Sequence, residues 1–599
     1  MKRLRELLRL VLLSKWLPVF VFGLALVLCL PALSAGLMLD DIPMQMMFQP
    51  DFPHQPGGPR GDWDLFRFLG PDRSYLRYQM ELGLMPWWTA PTIRIAFFRP
   101  LSSLHMAIDF RNWADKPWLL HLESLLLYAG LALATCRLYR QLFGVTIAAG
   151  LAAVMFAIDD AHSLPVVWLS NRNALWATCL GVLSLSSFVA MRRGTFSAGK
   201  WLSPILFALA LLSGEAALGA AAYLFAYVVW VEEGSLWDRL SLLLPYVAIG
   251  LVWAGIYGAL GYGTVDSGMY IDPLRSPVQY LIAVGSRLPL LLLAQLAVPP
   301  ADLWMQLSPE VQVQAGLAAW LLLALAGLFG VRLLRGDRLS GFFATGMILS
   351  LLPVCSAWPM DRLLLFSGLG AFGLLAQLLL RLRNGLTEPA LSRPGLRKLA
   401  IGVLVLVHIV LAGLLLPARI AFINKTFGGL DERAAMTLPS HEKLHGKTLV
   451  FVNSPDPLVA SYSVVYRYLH GRTLIHDLRL LSSVLRGSLT ITRTDERTLV
   501  VWPSAGFFQE PLSRVFRSAT LPFAAGDKVT LSNLTAEVLE ASSEGTPQKV
   551  AYHFDRPLED AQLTFVSWVD RGFVPFVPPA VGQTVTLPAI DYAKALGSK

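Results

Sequence analysis

A chain of 599 residues that is 55% hydrophobic and only 15% charged is too apolar for a soluble globular protein, in which about a quarter of residues are charged. The net charge of +9 does not mark a nucleic-acid binder, because the basic residues are scattered over short loops between apolar runs and form no stripe. Four cysteines, Cys29, Cys136, Cys179 and Cys355, all lie in or beside apolar segments, which excludes a disulfide framework and a CxxC metal site.

The basic N-terminus "MKRLRELLRLVLLSK" precedes an apolar stretch at roughly 16–38, long for the core of a signal peptide and read as an anchor. Further windows near the length needed to cross a bilayer follow at 117–136, 144–158, 173–191, 201–215, 216–232, 240–262, 315–334, 339–357, 363–381 and 399–417, eleven spans in all. Basic residues fill alternate loops: Lys2 to Lys15, Arg137 and Arg140, Arg192 to Lys200, Arg332 to Arg338, and Arg381 to Lys398. Positive loops stay inside, so the N-terminus is expected in the cytoplasm and, after an odd number of spans, the C-terminal part outside. The outer loop 39–116 should carry helices lying in the interface. Residues 278–300, with Arg287 at their middle, are expected as an amphipathic or re-entrant segment on the outer face. Residues 1–417 thus form a transmembrane domain and 418–599 a soluble outer domain. In the latter "KTLVFVNSPDP" leads into a helix "PLVASYSVVYRYLHG", and runs such as "GSLTITRTDERTLVVWP" follow, an α/β start to a mostly-β unit.

With this topology the unusual polar residues collect outside. Asp40 and Asp41 follow the first span, and Arg99, His105 and Asp109 precede the second. "AIDDAHSLPVVWLSNRN" holds Asp159, Asp160, His162, Asn171, Arg172 and Asn173; Glu215 interrupts an apolar run, and Arg362 opens the tenth span. An ionisable group within an apolar run is costly and marks a functional candidate. A helix start such as Asn171–Asn173 favours an anion, with Arg172 adding a phosphate fork and Arg362 repeating the device. A carboxylate near such starts can remove a proton, and the arginines can hold charge growing on a departing phosphate. Asp41, Asp160 and His162 are the metal-ligand candidates, for a divalent cation such as Mg or Mn.

These residues resemble the GT-C superfamily of polyprenyl-phosphate-dependent glycosyltransferases, most of all the transmembrane O-mannosyltransferases with TPR repeats and their bacterial relatives. The likeness runs in order from residue 1 to about 417: the acidic pair Asp40–Asp41, Arg99-Pro100-Leu101, "FAIDDAHSLPVVWLSNRNALWA" at 156–177, "LSGE" at 212–215 and "DRLLLFSGLG" at 361–370. It implies a GT-C-like polytopic α-helical fold and an inverting transfer from a dolichyl- or undecaprenyl-linked sugar at the periplasmic or luminal face. Asp40 or Asp41 would be the base or a metal ligand, and Arg99, Arg172 and Arg362 would contact the lipid phosphate. The chain departs from the pattern at Asp159, where a His is usual, at Leu164 and Ala174, where acids are, and at Gly214, where a Lys is; it has no TPR repeats. The donated sugar and the acceptor, whether glycan, lipid or protein, stay open. The expectation is a glycosyltransferase of a bacterial inner membrane, with a flippase of lipid-linked sugars or a non-catalytic scaffold as alternatives and no nucleic-acid partner.

Overall fold

The computed structural model describes residues 2–49, 57–384, 394–472, 475 and 477–595. Among them, eight helices are long and apolar enough to cross a membrane: Leu17–Ser34, Pro117–Phe143, Ile147–Val167, Leu169–Arg192, Pro277–Leu296, Glu310–Leu328, Leu365–Asn384 and Pro394–Thr437. The shorter apolar helices Gly199–Ser213, Glu215–Trp230, Leu244–Ala259 and Arg338–Val354 accompany them. The protein is therefore built as a polytopic helical membrane protein. Its helices approach closely where side chains are small. A Cβ on Gly346 would lie 2.2 Å from the Tyr223 ring, and one on Gly370 2.5 Å from the Phe343 carbonyl oxygen, so neither position accepts a larger residue without moving a helix.

The loops sort by charge into two ends. At the basic end Arg140 donates to the Ser14 carbonyl, Arg192 to Glu232 at 2.6 and 2.9 Å, Arg338 to Glu233 at 2.9 Å, and Arg381 lies 3.4 Å from Asp337. Asp40, Asp41, Asp159, Asp160, Glu215 and Asp361 gather at the other. Pro277–Leu296 runs as one helix through Pro289 and does not re-enter. Three of its side chains bond to the acidic end: Tyr280 donates to the Leu352 carbonyl, Arg287 to those of Cys355 and Ala357, and Gln295 to Asp159. Its own carbonyls at Gly285 and Leu296 meet Trp320 and His408 of neighbouring helices. Arg287 is buried because two carbonyls satisfy it.

Three sheets stand beyond the acidic end. The first, β1 (Arg67–Leu69), β2 (Arg94–Ala96) and β3 (Gly263–Val265), is antiparallel and drawn from loops between apolar helices. Ten strands follow: β4 (Thr448–Asn453), β5 (Leu478–Leu480), β6 (Leu489–Arg493), β7 (Thr498–Pro503), β8 (Lys528–Thr530), β9 (Leu534–Ala541), β10 (Pro547–Phe554), β11 (Leu563–Val569), β12 (Gly572–Pro575) and β13 (Thr584–Leu587). They form a sheet of order β12-β11-β4-β5, in which β4 is parallel to β11 and to β5, and an antiparallel sheet of order β13-β6-β7-β10-β9-β8. Helix Pro457–Leu469 is the crossover that parallel β4 and β5 require. The continuous apolar run of β4 is buried on both faces, whereas β6 alternates.

The loop expected at 39–116 packs into the core of these C-terminal sheets. Trp87 packs on Phe507, Phe523 and Tyr552, and the Trp88 indole donates to the Ser513 carbonyl at 3.0 Å. Arg479 donates to the Glu81 carbonyl at 2.8 Å. Helix Ala412–Phe427 runs through residue 417, so the bundle and the outer domain are joined without a break in the helix.

Candidate functional site

Leu39, at φ +51°, turns the chain abruptly after the first apolar helix. A bulky residue in the left-handed region is a strained device that the surroundings must hold. What holds it is Asp41, which is 0% exposed: the Ser170 amide and hydroxyl donate to its Oδ1 at 2.7 and 2.5 Å, and the Met38 amide to its Oδ2 at 3.2 Å. Burial pushes its carboxyl up to about 7 against those three bonds. With both oxygens occupied, Asp41 is a brace joining this turn to the start of Leu169–Arg192. Asp40 differs. It is half-buried and receives one side-chain bond, from the Tyr462 hydroxyl to Oδ1 at 3.1 Å. Burial raises its carboxyl above the ordinary value, while the Tyr462 bond and the charges of Arg362 and Arg99 pull it part of the way back.

The expected phosphate-binding arginines fall into three kinds. Arg362 touches Met360 Sδ, Asn171 Oδ1 at 3.2 Å and the Trp168 ring at 5.4 Å, none of them an anion. Asn171 places no side-chain cap on the following helix. Its Nδ2 and the indole nitrogen of Trp168 are buried donors with no partner among the described residues. Three donor groups in search of an acceptor therefore meet at one place. Arg99 lies over Phe97 and donates to Glu215 at 2.7 Å, so the acid that looked isolated in sequence is paired. The Tyr257 hydroxyl stands 3.5 Å from the same carboxylate.

Arg172 is consumed within the fold. Only 2% exposed, it donates to Ser124 Oγ at 2.8 Å, the Leu120 carbonyl at 2.6 Å, Asp109 at 2.5 Å, Glu123 at 3.3 Å and His105 Nδ1 at 3.2 Å. All three nitrogens of the guanidinium are thus engaged within the fold. His105, Asp109 and Glu123 offer ligand atoms within 4.8 Å of one another, but the Arg172 Nη1 already serves all three as their cation. Asn173 donates to the Ser170 carbonyl at 2.5 Å and steadies the turn that holds Asp41.

The cluster after the third apolar helix divides. Asp160 pairs with Arg419 at 2.8 Å, and the same guanidinium takes Asp302 and Asp361, each at 2.7 Å. His162 is fully buried; its Nδ1 lies 3.0 Å from the Tyr128 hydroxyl and its Nε2 3.5 Å from Asp159 Oδ2. Asp159 also caps the Ala161 amide and accepts from Gln295. Among the described residues Asp41, Asp160 and His162 do not form a ligand group: Ser170 and Met38 hold Asp41, Arg419 holds Asp160, and His162 lies beside Tyr128 and Asp159 with Nε2 unbonded. Nor does the surrounding of Asp40 fit a divalent cation: one open carboxylate faced by two guanidiniums is a poor oxygen cage. Tyr462, Arg419 and Asp302 were missed in sequence; a lone arginine ending the last apolar run was the available signal for Arg419.

Compared with protein-family models and with curated protein sequences, the chain matches none.

Proposed function

We propose that the protein is an integral-membrane glycosyltransferase that moves a sugar from a polyprenyl-phosphate-linked donor to an acceptor at the outer face. One observation carries this reading: among the described residues Asp40 keeps an oxygen free while its charge is felt by Arg362, a guanidinium with no anionic partner there. Asp40 takes the proton of the acceptor hydroxyl as the acceptor oxygen forms its bond to the anomeric carbon. The bond from that carbon to the phosphate oxygen breaks on the opposite side, which inverts the centre. Arg362, the Asn171 amide and the Trp168 N–H hold the charge left on the lipid phosphate. Burial keeps Asp40 a stronger base than an exposed carboxylate. Arg99, neutralised by Glu215, lines the site without binding phosphate alone.

In the same reading the apolar helices other than Pro277–Leu296 make eleven crossings, the twelve long and short ones less that one. The basic end then faces the cytoplasm, as in a bacterial inner membrane, and the outer domain the periplasm. Polar groups gathered at one end support transfer over transport, which favours sites at the midplane.

The test is Asp40→Asn beside Asp41→Asn, each purified in detergent and supplied with radiolabelled polyprenyl-phosphate sugar. Asp40→Asn should fold as the wild type does and lose transfer by about 10²-fold or more. Asp41→Asn should lose stability first, because an amide turned toward the Met38 N–H sets donor against donor. Undiminished transfer by Asp40→Asn removes the base from the mechanism.

A further inference from the structure

The hydroxyl that meets Asp40 comes from 422 residues away, on helix Pro457–Leu469 of the outer domain. That helix is firmly seated. Asp456 caps its Val459 amide at 2.9 Å, Arg467 donates to the Pro439 carbonyl at 2.7 Å, and Val459, Ala460, Val464 and Val465 are buried in the outer core. The helix also packs against Asp41–Met46, the short helix that begins at the acidic pair. Tyr462 reaches from this support to Asp40 and is the only side chain among the described residues that donates to it.

We infer that Tyr462 is a positioning residue for Asp40, so that the outer domain completes the transfer site and is not only a packing module. The inference rests on the transferase reading above and deepens it. By fixing Oδ1, the phenol orients the carboxylate and leaves Oδ2 as the oxygen that receives the acceptor proton. The groups that act on Asp40 and Tyr462 come from several elements. Asp41 adjoins Asp40 in the chain, Arg99 and Arg362 belong to the bundle, and Asp431 and Asp456 belong to the outer domain. Burial and the charges of Asp40, Asp431 and Asp456 hold the Tyr462 phenol well above its ordinary value. It therefore stays a donor at every working pH.

The experiment follows the carboxyl band of Asp40 by difference infrared titration of the full-length protein in detergent, identified as the band absent in Asp40→Asn. Tyr462→Phe keeps the ring and removes the donor. The midpoint of Asp40 should rise by about one pH unit, because the carboxylate loses a bond that the neutral acid does not need. Replacing Tyr462 by 3-fluorotyrosine, a stronger donor of the same shape, should move the midpoint downward and serves if the phenylalanine variant does not fold. An unmoved midpoint in the variant that folds overturns the inference. With polyprenyl-phosphate [14C]mannose as the probe, the acid limb of transfer should move with the midpoint while KM for the probe stays unchanged. A moved midpoint with no transfer by the wild type from polyprenyl-phosphate mannose, glucose, galactose or arabinose keeps the coupling and overturns the transferase reading. Transfer lost in Asp40→Asn with a fixed midpoint in Tyr462→Phe overturns the coupling alone.

Discussion

Replacing Arg172 by methionine separates a structural arginine from a substrate-binding one. The guanidinium satisfies a carbonyl, a hydroxyl, an imidazole and two carboxylates. Glu123, with a side chain 34% exposed, can turn to water, but Asp109, 4% exposed, cannot. Leaving one member of a buried pair without its partner costs about 3–5 kcal/mol, and the exposed carboxylate adds little. Arg172→Met should therefore lose about 4 kcal/mol at pH 8. Burial already holds the Asp109 carboxyl above its ordinary value with the arginine in place, and removing the arginine raises it further. As pH falls the orphaned carboxyl takes a proton and the penalty shrinks. Arg172→Met/Asp109→Asn removes the buried charge and should recover about half the loss, so the double-mutant cycle shows a non-additivity of about 2 kcal/mol plus whatever Asp109→Asn costs alone. Equilibrium unfolding in mixed micelles, followed by tryptophan fluorescence at pH 6 and pH 8, measures all four species. If Arg172→Met unfolds with the wild type and instead raises the KM for lipid-linked sugar, the guanidinium serves the donor and its structural assignment is wrong.

Two further outcomes follow from burial and from the two ends of the bundle. Glu510 has a buried oxygen without a partner, and burial pushes its carboxyl up to about 8 from an ordinary 4.5. Between those values the folded protein holds a proton that the unfolded chain has released, so stability falls as pH rises through that window. Glu510→Gln should flatten the fall and melt higher than the wild type at pH 8; an unchanged slope excludes Glu510 as its source. The four native cysteines are all buried, which gives a silent background for labelling. A membrane-impermeant maleimide should reach Leu274→Cys, at an 89% exposed position, in intact spheroplasts, and Trp237→Cys, at an 82% exposed one, only after permeabilisation. The reverse pattern inverts the topology.

The helical bundle was legible because spanning a membrane imposes a length and a polarity on a single segment, and the charge of each loop is a local property. Partners are not local. Arg172 and Arg362 both open an apolar helix, and nothing nearby in sequence distinguishes them. The acids that claim Arg172 sit at 109 and 123, while among the described residues Arg362 meets an amide, a thioether and an indole. Glu215 looked unpaired because Arg99 lies 116 residues away. Trp87 and Trp88 lie in the loop 39–116, expected from sequence to carry interfacial helices, and an amphipathic ring suits a headgroup layer as well as a core whose edge offers a carbonyl. Their burial in the C-terminal domain depends on residues more than 400 positions later, such as Ser513 for Trp88.

The acids of the site differ in how they are balanced, and that difference singles out Asp40. Asp109 and Glu123 share Arg172; Asp160, Asp302 and Asp361 share Arg419; Glu215 has Arg99. Asp41 is satisfied by amides and a hydroxyl. Among the described residues Asp40 alone in this group combines an oxygen without a partner with the absence of any guanidinium in contact, although Arg362 and Arg99 act on it through space. A direct ion pair would pull its carboxyl down by one to three units and leave a weak base. Asn171 and the Trp168 ring prevent that pairing by holding Arg362 to themselves. In the proposed reaction this spacing lets one group accept a proton while the other waits for the phosphate. An Asn171→Asp variant, which would neutralise Arg362 where it stands, should therefore weaken donor binding and leave the titration of Asp40 shifted upward, the two effects having a single cause.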